Sequence, residues 1–215
     1  MRMIQDRVVV IALFLLPVPL LAQAPVNERI GPYVIDARGA FPGFKAIPSV
    51  ATAIGTVTTN LPTRGFGVAG GAHFYPLRWG KVTLGLGGEA VASRGSRTLD
   101  PTTEGGPTGP TVNTRFSGYS PQVSFNFGTH EGWSYVSGGV GQSTLRIERA
   151  DAPLETVPRR KTINYGFGAR WFASRRVAVS LDARWYAVAP QFASTGVPAQ
   201  PRMTLLVFNG GIAIR

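Results

Sequence analysis

Six charged residues share one parity of alternating segments: Asp36, Arg38, Glu89, Arg170, Asp182 and Arg184. The stretch "VAVSLDARWYAV" (177–188) shows the pattern. Val177, Val179, Leu181, Ala183, Trp185 and Ala187 occupy one parity, and Ala178, Ser180, Asp182, Arg184 and Tyr186 the other. Period two marks a β-strand with one apolar and one polar face. Three carboxylates and three guanidiniums on polar faces have two chemical uses. They can form a balanced ion-pair network, since an unpaired buried charge is costly, or they can line an ion path or gate.

The two histidines are the other reactive candidates. His73 falls on a polar parity, and His130 sits in the turn "GTHEG" beside Glu131. Neither has a serine two residues away, and one His–Glu pair offers too few ligands for a metal site. "GLGGEA" and "GVAGG" are glycine-rich, but no helix follows them to present a phosphate-binding N-terminus. Cysteine is absent, which excludes disulfides and thiolate sites. The expectation is no catalytic residue, no metal and no cofactor.

These residues must be positioned by strands. "KVTLGLGGEAVAS" sets Val82, Leu84, Leu86 and Ala90 against Thr83, Gly85, Gly87 and Glu89, and "INYGFGARWF" sets Ile163, Tyr165, Phe167 and Trp171 against Asn164, Gly166, Gly168 and Arg170. About eight such segments follow one another, at 32–41, 65–76, 81–93, 115–127, 133–147, 162–172, 176–188 and 202–214. A phase shift at Gly138 and Gly139 suggests a bulge there. Most segments match the ~9–11 residues that a tilted strand needs to cross a bilayer. Interior Gly85, Gly87, Gly166 and Gly168 would leave room for Tyr75, Tyr186 and the arginines to pack across a lumen.

The N-terminus, "MRMIQDRVVVIALFLLPVPLLAQA", has a basic start, an apolar run and small residues near its end. It reads as a cleaved secretory signal over 1–24, with a single domain over 25–215. With 44% hydrophobic and only 15% charged residues the chain is not a disordered one. For an exported chain of net charge +11, anionic lipid headgroups are the expected counter-charge rather than nucleic acid.

The connections between segments alternate long and short, and aromatic residues gather at the segment ends: Phe74, Trp79, Phe127, Trp133 and Trp171 near the short turns, and Trp185 at the opposite end. Short turns, longer loops and aromatic belts are features of membrane barrels. The fold expected is therefore all-β: an eight-stranded antiparallel transmembrane up-and-down barrel. The Val177 face would meet lipid and the Asp182 face would be interior. Leu181→Arg or Phe167→Arg should then block insertion, and Ser180→Arg should be better tolerated.

With the signal, this strand and loop rhythm and segments such as "GFGVAGGAHFYP", "VTLGLGGEA" and "YGFGARWF", the chain resembles the small eight-stranded outer-membrane barrels, the OmpA/OmpX/OmpW-like group. It departs from that group in carrying Arg215 where a terminal aromatic residue is usual, and a periplasmic domain after the barrel is not expected. The resemblance implies a monomer in a Gram-negative-type outer membrane. Its partners would be outer-membrane lipid, lipopolysaccharide and the barrel insertion machinery. The role it implies is non-enzymatic, structural or surface-interacting. The alternatives are an OmpW-like channel for small solutes or hydrophobic ligands and, third, a lipid A-modifying enzyme. Arg159, Arg160 and Lys161 in "PRRK" could contact lipid phosphates or form a solvated rim. The first loop, "PGFKAIPSVATAIGTVTTNLPT", is unusually apolar for an exposed segment, and could fold over the barrel mouth or touch a hydrophobic ligand.

Overall fold

A computed structural model describes residues 30–99, 106, 108–154, 156–194 and 197–215. The leader expected at 1–24 lies outside the described residues. Eight strands follow in order: β1 (Tyr33–Gly43), β2 (Phe66–Trp79), β3 (Val82–Thr98), β4 (Thr111–Thr129), β5 (Gly132–Arg149), β6 (Arg160–Phe172), β7 (Val177–Val188) and β8 (Met203–Ile214). Each pairs antiparallel with the next, and β1 closes on β8 from Ile35↔Ile214 to Gly43↔Leu206. A short helix, α1 (Pro48–Ala53), and a 3-10 turn at Thr58–Asn60 lie in the first long connection. The start of β1 and the end of β8 lie with the three short turns, and the strand ends that lead into the four longer connections lie at the other end. We refer to these as the turn end and the loop end.

Strands β3, β4 and β5 are longer than their alternation suggests, at 17, 19 and 18 residues. The ladder continues through Arg94↔Arg115 up to Thr98↔Thr111, into a stretch whose polarity reads as loop. Thr111, Val112 and Thr114 are β-favouring residues, and pairing on both sides of β4 extends them into strand.

The bulge lies elsewhere than expected. β5 keeps one register with both neighbours through Gly138 and Gly139. Two adjacent glycines carry no side chain to mark a face, and so mimic a phase shift. The register slips instead in β2, between Phe74 and Leu77. Pro76 lies inside that slip and has no N–H to give to a ladder.

Alternation sorts the side chains cleanly. Large apolar residues point outward around the wall, for example Leu181 at 51%, Phe167 at 55% and Ile163 at 54% exposure. Exposed apolar surface on this scale far exceeds what a water-soluble monomer leaves uncovered, and it forms the outward apolar band of a membrane barrel. Inside, three layers stack. At the turn end, Val34, Tyr75, Trp133, Tyr135, Ala178 and Ala213 pack together against Phe172. The middle is polar. At the loop end, Val112, Phe116, Leu145, Ile147, Leu205 and Val207 form an apolar layer.

The first long connection completes that last layer. Phe44, Ile47, Val50, Ala51 and Leu61 are buried in it. Pro48 starts α1, where a missing N–H costs nothing, and the helix turns Val50 and Ala51 inward. Burying one such large side chain is worth ~1.5–3 kcal/mol, so the mouth is closed by apolar packing of this segment.

Candidate functional site

The middle layer brings the six charged residues together. Arg38 on β1 is the hub: its Nε pairs with Asp36 Oδ1 at 2.8 Å, one terminal nitrogen donates to Glu89 Oε2 at 2.5 Å, and the other donates to Asp182. Arg184 pairs through Nε with Glu89 Oε1 at 3.1 Å and donates to Asp182 Oδ2 at 3.3 Å. Arg170 donates to the other Asp36 oxygen, Oδ2, at 2.6 Å. All six side chains are buried. Each carboxylate therefore meets at least one guanidinium, and the formal charges cancel.

Neutral groups tie this layer to the wall. The Tyr135 hydroxyl donates to Asp182 at 3.1 Å, Asn209 donates to the other Asp182 oxygen at 2.5 Å, and Tyr186 donates to Glu89 Oε1 at 2.5 Å. Arg170 also donates to the Tyr75 hydroxyl at 3.1 Å and lies 4.6 Å from the Tyr135 ring centre. Two glycines make this packing possible. A Cβ on Gly168 would lie 2.7 Å from the Tyr135 ring, and one on Gly85 would lie 2.9 Å from the Tyr75 ring. Both lie well inside contact distance.

The other residues singled out from the sequence divide between wall and interior. Phe74, Trp79, Phe127 and Trp171 point outward near the turn end. Trp185 also lies on the outer face, its ring stacked on Tyr165 with centroids 5.8 Å apart. Trp133 does not belong to an interfacial belt. It is 3% exposed, inside the barrel, edge-on to Tyr75 and stacked on Phe172. Gly132 takes the outward position after the turn, so parity sends Trp133 inward. Arg160 is likewise inside, donating to Gln200 Oε1 at 2.9 Å and to the Ala189 carbonyl at 3.3 Å. That removes it from any lipid contact, whereas Arg159 and Lys161 face outward.

His73 is buried on the inner face of β2, across from Gly87, which has no side chain to obstruct it. Among the described residues its buried Nδ1 has no hydrogen-bond partner, hydroxyl or otherwise. His130 lies in the β4–β5 turn, where its carbonyl accepts from Arg215 at 2.5 Å. Among the described residues no group of three or more potential ligands could hold a metal. Ser137, whose hydroxyl accepts from Arg184 at 3.0 Å, completes the network with Tyr135 and Asn209, and none of the three carries a signal in sequence beyond its parity.

No protein-family model matches the chain, and no curated protein matches it. Solved structures do match. Neisserial surface protein A (NspA) superposes with a TM-score of 0.53 at 10% identity, over 87% of this chain and 99% of that one. The chain has the fold of the small eight-stranded outer-membrane barrels. Ail, the attachment invasion locus protein of Yersinia pestis, solved in complex with the heparin analogue sucrose octasulfate, gives a TM-score of 0.50 at 12% identity, over 85% and 96%. The outer membrane protease OmpT of Escherichia coli gives 0.41 at 12%, over 71% and 64%. Within this outer-membrane barrel fold, the charge network occupies the middle of the lumen and separates two apolar layers.

Proposed function

We propose that the protein is a non-enzymatic outer-membrane barrel whose interior is a structural filling, and whose loop end is a surface for interactions. The loops then face the cell exterior, with both termini and the short turns on the periplasmic side. It is a monomer placed in the membrane by the barrel insertion machinery, in contact with outer-membrane lipid and lipopolysaccharide. One observation carries this reading: the lumen is occupied at three successive levels, by the aromatic layer, the six-charge layer and the first connection. An eight-stranded barrel is narrow enough for side chains to fill, and here they do. A conducting channel would need a continuous wet path, and a hydrolase would need a nucleophile beside a base at an accessible rim.

Planar-bilayer recording on the purified protein tests the reading. Absence of steady unitary conductance is expected, and steady conductance would favour the small-solute channel. A lipid A mass assay runs beside it. A change in lipid mass that disappears in His73→Ala would overturn the non-enzymatic assignment.

A further inference from the structure

Three arginines stand side by side on the outer wall. Arg94 on β3 is opposite Arg115 on β4, and Arg115 is opposite Arg146 on β5. Adjacent strands lie ~4.8 Å apart, so the row spans about 10 Å. Like charges placed directly opposite destabilise a sheet. Arg146 has partners, Glu148 at 3.4 Å and the Leu154 carbonyl at 2.7 Å. Arg94 and Arg115 are exposed, and among the described residues neither has an ion pair. The bare barrel thus carries a repulsion that a bound anion would relieve.

The same wall supplies a groove below the row. The next outward-facing positions toward the turn end are Ala92, Ser117 and Thr144, and then Ala90, Tyr119, Gln142 and Lys161. A depression of about 180 Å³ is lined by Ala90, Ser117, Tyr119, Gln142, Thr144 and Arg159. Arg159 lies over the Tyr119 ring at 5.8 Å, and the Tyr119 hydroxyl donates to Gln142 at 3.3 Å. Small residues and hydroxyls lie at its floor, and cations stand above and beside it. Immediately below begin Val140 and Ile163, with Val123 one outward position further, all part of the outward apolar band. Cations over hydroxyls over an apolar wall match a phosphorylated saccharide headgroup that carries acyl chains.

We infer that the β3–β6 wall is a binding site for the phosphorylated headgroup of a glycolipid of the lipid A type, with Arg94, Arg115, Arg159 and Lys161 taking the phosphate charge. Ser117, Thr144 and Gln142 would meet the sugar, and the acyl chains would lie along the apolar band. This inference rests on the outward orientation of the loop end proposed above. Arginine suits the role because its fork meets phosphate oxygens in pairs.

The test is titration of the purified protein, folded in detergent micelles, with diphosphoryl lipid A, fully dephosphorylated lipid A and phosphatidylglycerol. Complexes are counted by native mass spectrometry. Diphosphoryl lipid A should bind best, and Arg94→Gln/Arg115→Gln/Arg159→Gln should weaken it by about tenfold or more. Equal binding of the dephosphorylated lipid, or unchanged binding by the variant, overturns the site. Displacement of lipid A by millimolar inorganic phosphate would make it a free-anion site and overturn the glycolipid assignment. Arginine-dependent binding of sucrose octasulfate without binding of lipid A would overturn it in favour of a sulfated saccharide. Heat-modifiability on gels and protease protection in vesicles, measured on the same preparations, report barrel folding and orientation separately. A protein that folds with its loops outside but ignores lipid phosphate defeats this inference alone.

Discussion

The Tyr186 hydroxyl donates to Glu89 Oε1 at 2.5 Å from the opposite side of the lumen, β7 facing β3 across the eight-strand ring. The same tyrosine ring stands edge-on to Phe116, 5.2 Å between centroids. One side chain therefore joins the apolar layer at the loop end to the charge layer beneath it. Tyr186→Phe keeps the ring contact and removes only the donor. It should cost ~1.5–3 kcal/mol, the range for a hydrogen bond to a charged group, read as a lower urea midpoint for unfolding from lipid vesicles. A midpoint unchanged within error would mean that the charge layer does not need this tie.

Arg38 touches all three interior carboxylates, so its loss strands more charge than any other substitution in the layer. Arg38→Met should destabilise the barrel by ~3–5 kcal/mol. Adding Glu89→Gln should recover part of that loss, because one fewer carboxylate is then left without its guanidinium. Urea unfolding of the two single variants and the double variant closes the cycle. Strict additivity would contradict the coupling.

Leu181 and Ser180 are adjacent but face opposite ways. Leu181→Arg places a charge in the outward band and should cost ~2–4 kcal/mol near the bilayer midplane, seen as a lower yield of inserted, heat-modifiable protein. Alternation alone makes Ser180→Arg the milder change, but the interior leaves no space for it. Ser180 is fully buried, paired across the sheet with Arg170 and Gly211. The new cation would face Arg170 with no carboxylate to spare. We therefore expect Ser180→Arg to destabilise by ~3–5 kcal/mol as an uncompensated buried charge, and in detergent as well as in lipid.

The first connection is paired at its base, Gly43 with Arg64, and is held above that by apolar contacts. Val50→Asp combined with Leu61→Asp puts two carboxylates into the loop-end layer, where Val50 and Leu61 are both buried. The segment between β1 and β2 should come out of the mouth while the strands stay paired. Limited proteolysis should then cut within residues 44–65, and heat-modifiability should persist. Resistance of that segment in the double variant would show that hydrogen bonds such as Phe44 N–H to the Thr63 carbonyl, 2.8 Å, suffice to hold it.

Alternation in the sequence determined the face of most residues, because side-chain direction in a strand is a local property of period two. Val179, Leu181 and Phe167 outside, and Asp36, Glu89 and Arg184 inside, follow from it directly. The alternation of short and long connections likewise carried the up-and-down order. Tertiary structure decided what a local pattern does not encode. Which charges meet depends on closure and on the stagger between strands, so that Arg38 reaches both Asp182 and Glu89 from a strand between theirs. Position beside a turn made Trp133 look interfacial and Arg160 look like part of an exposed basic run, but a single residue of register turned both inward. The first connection is apolar in sequence, and only the barrel's apolar mouth gave Ile47, Val50 and Leu61 something to pack against.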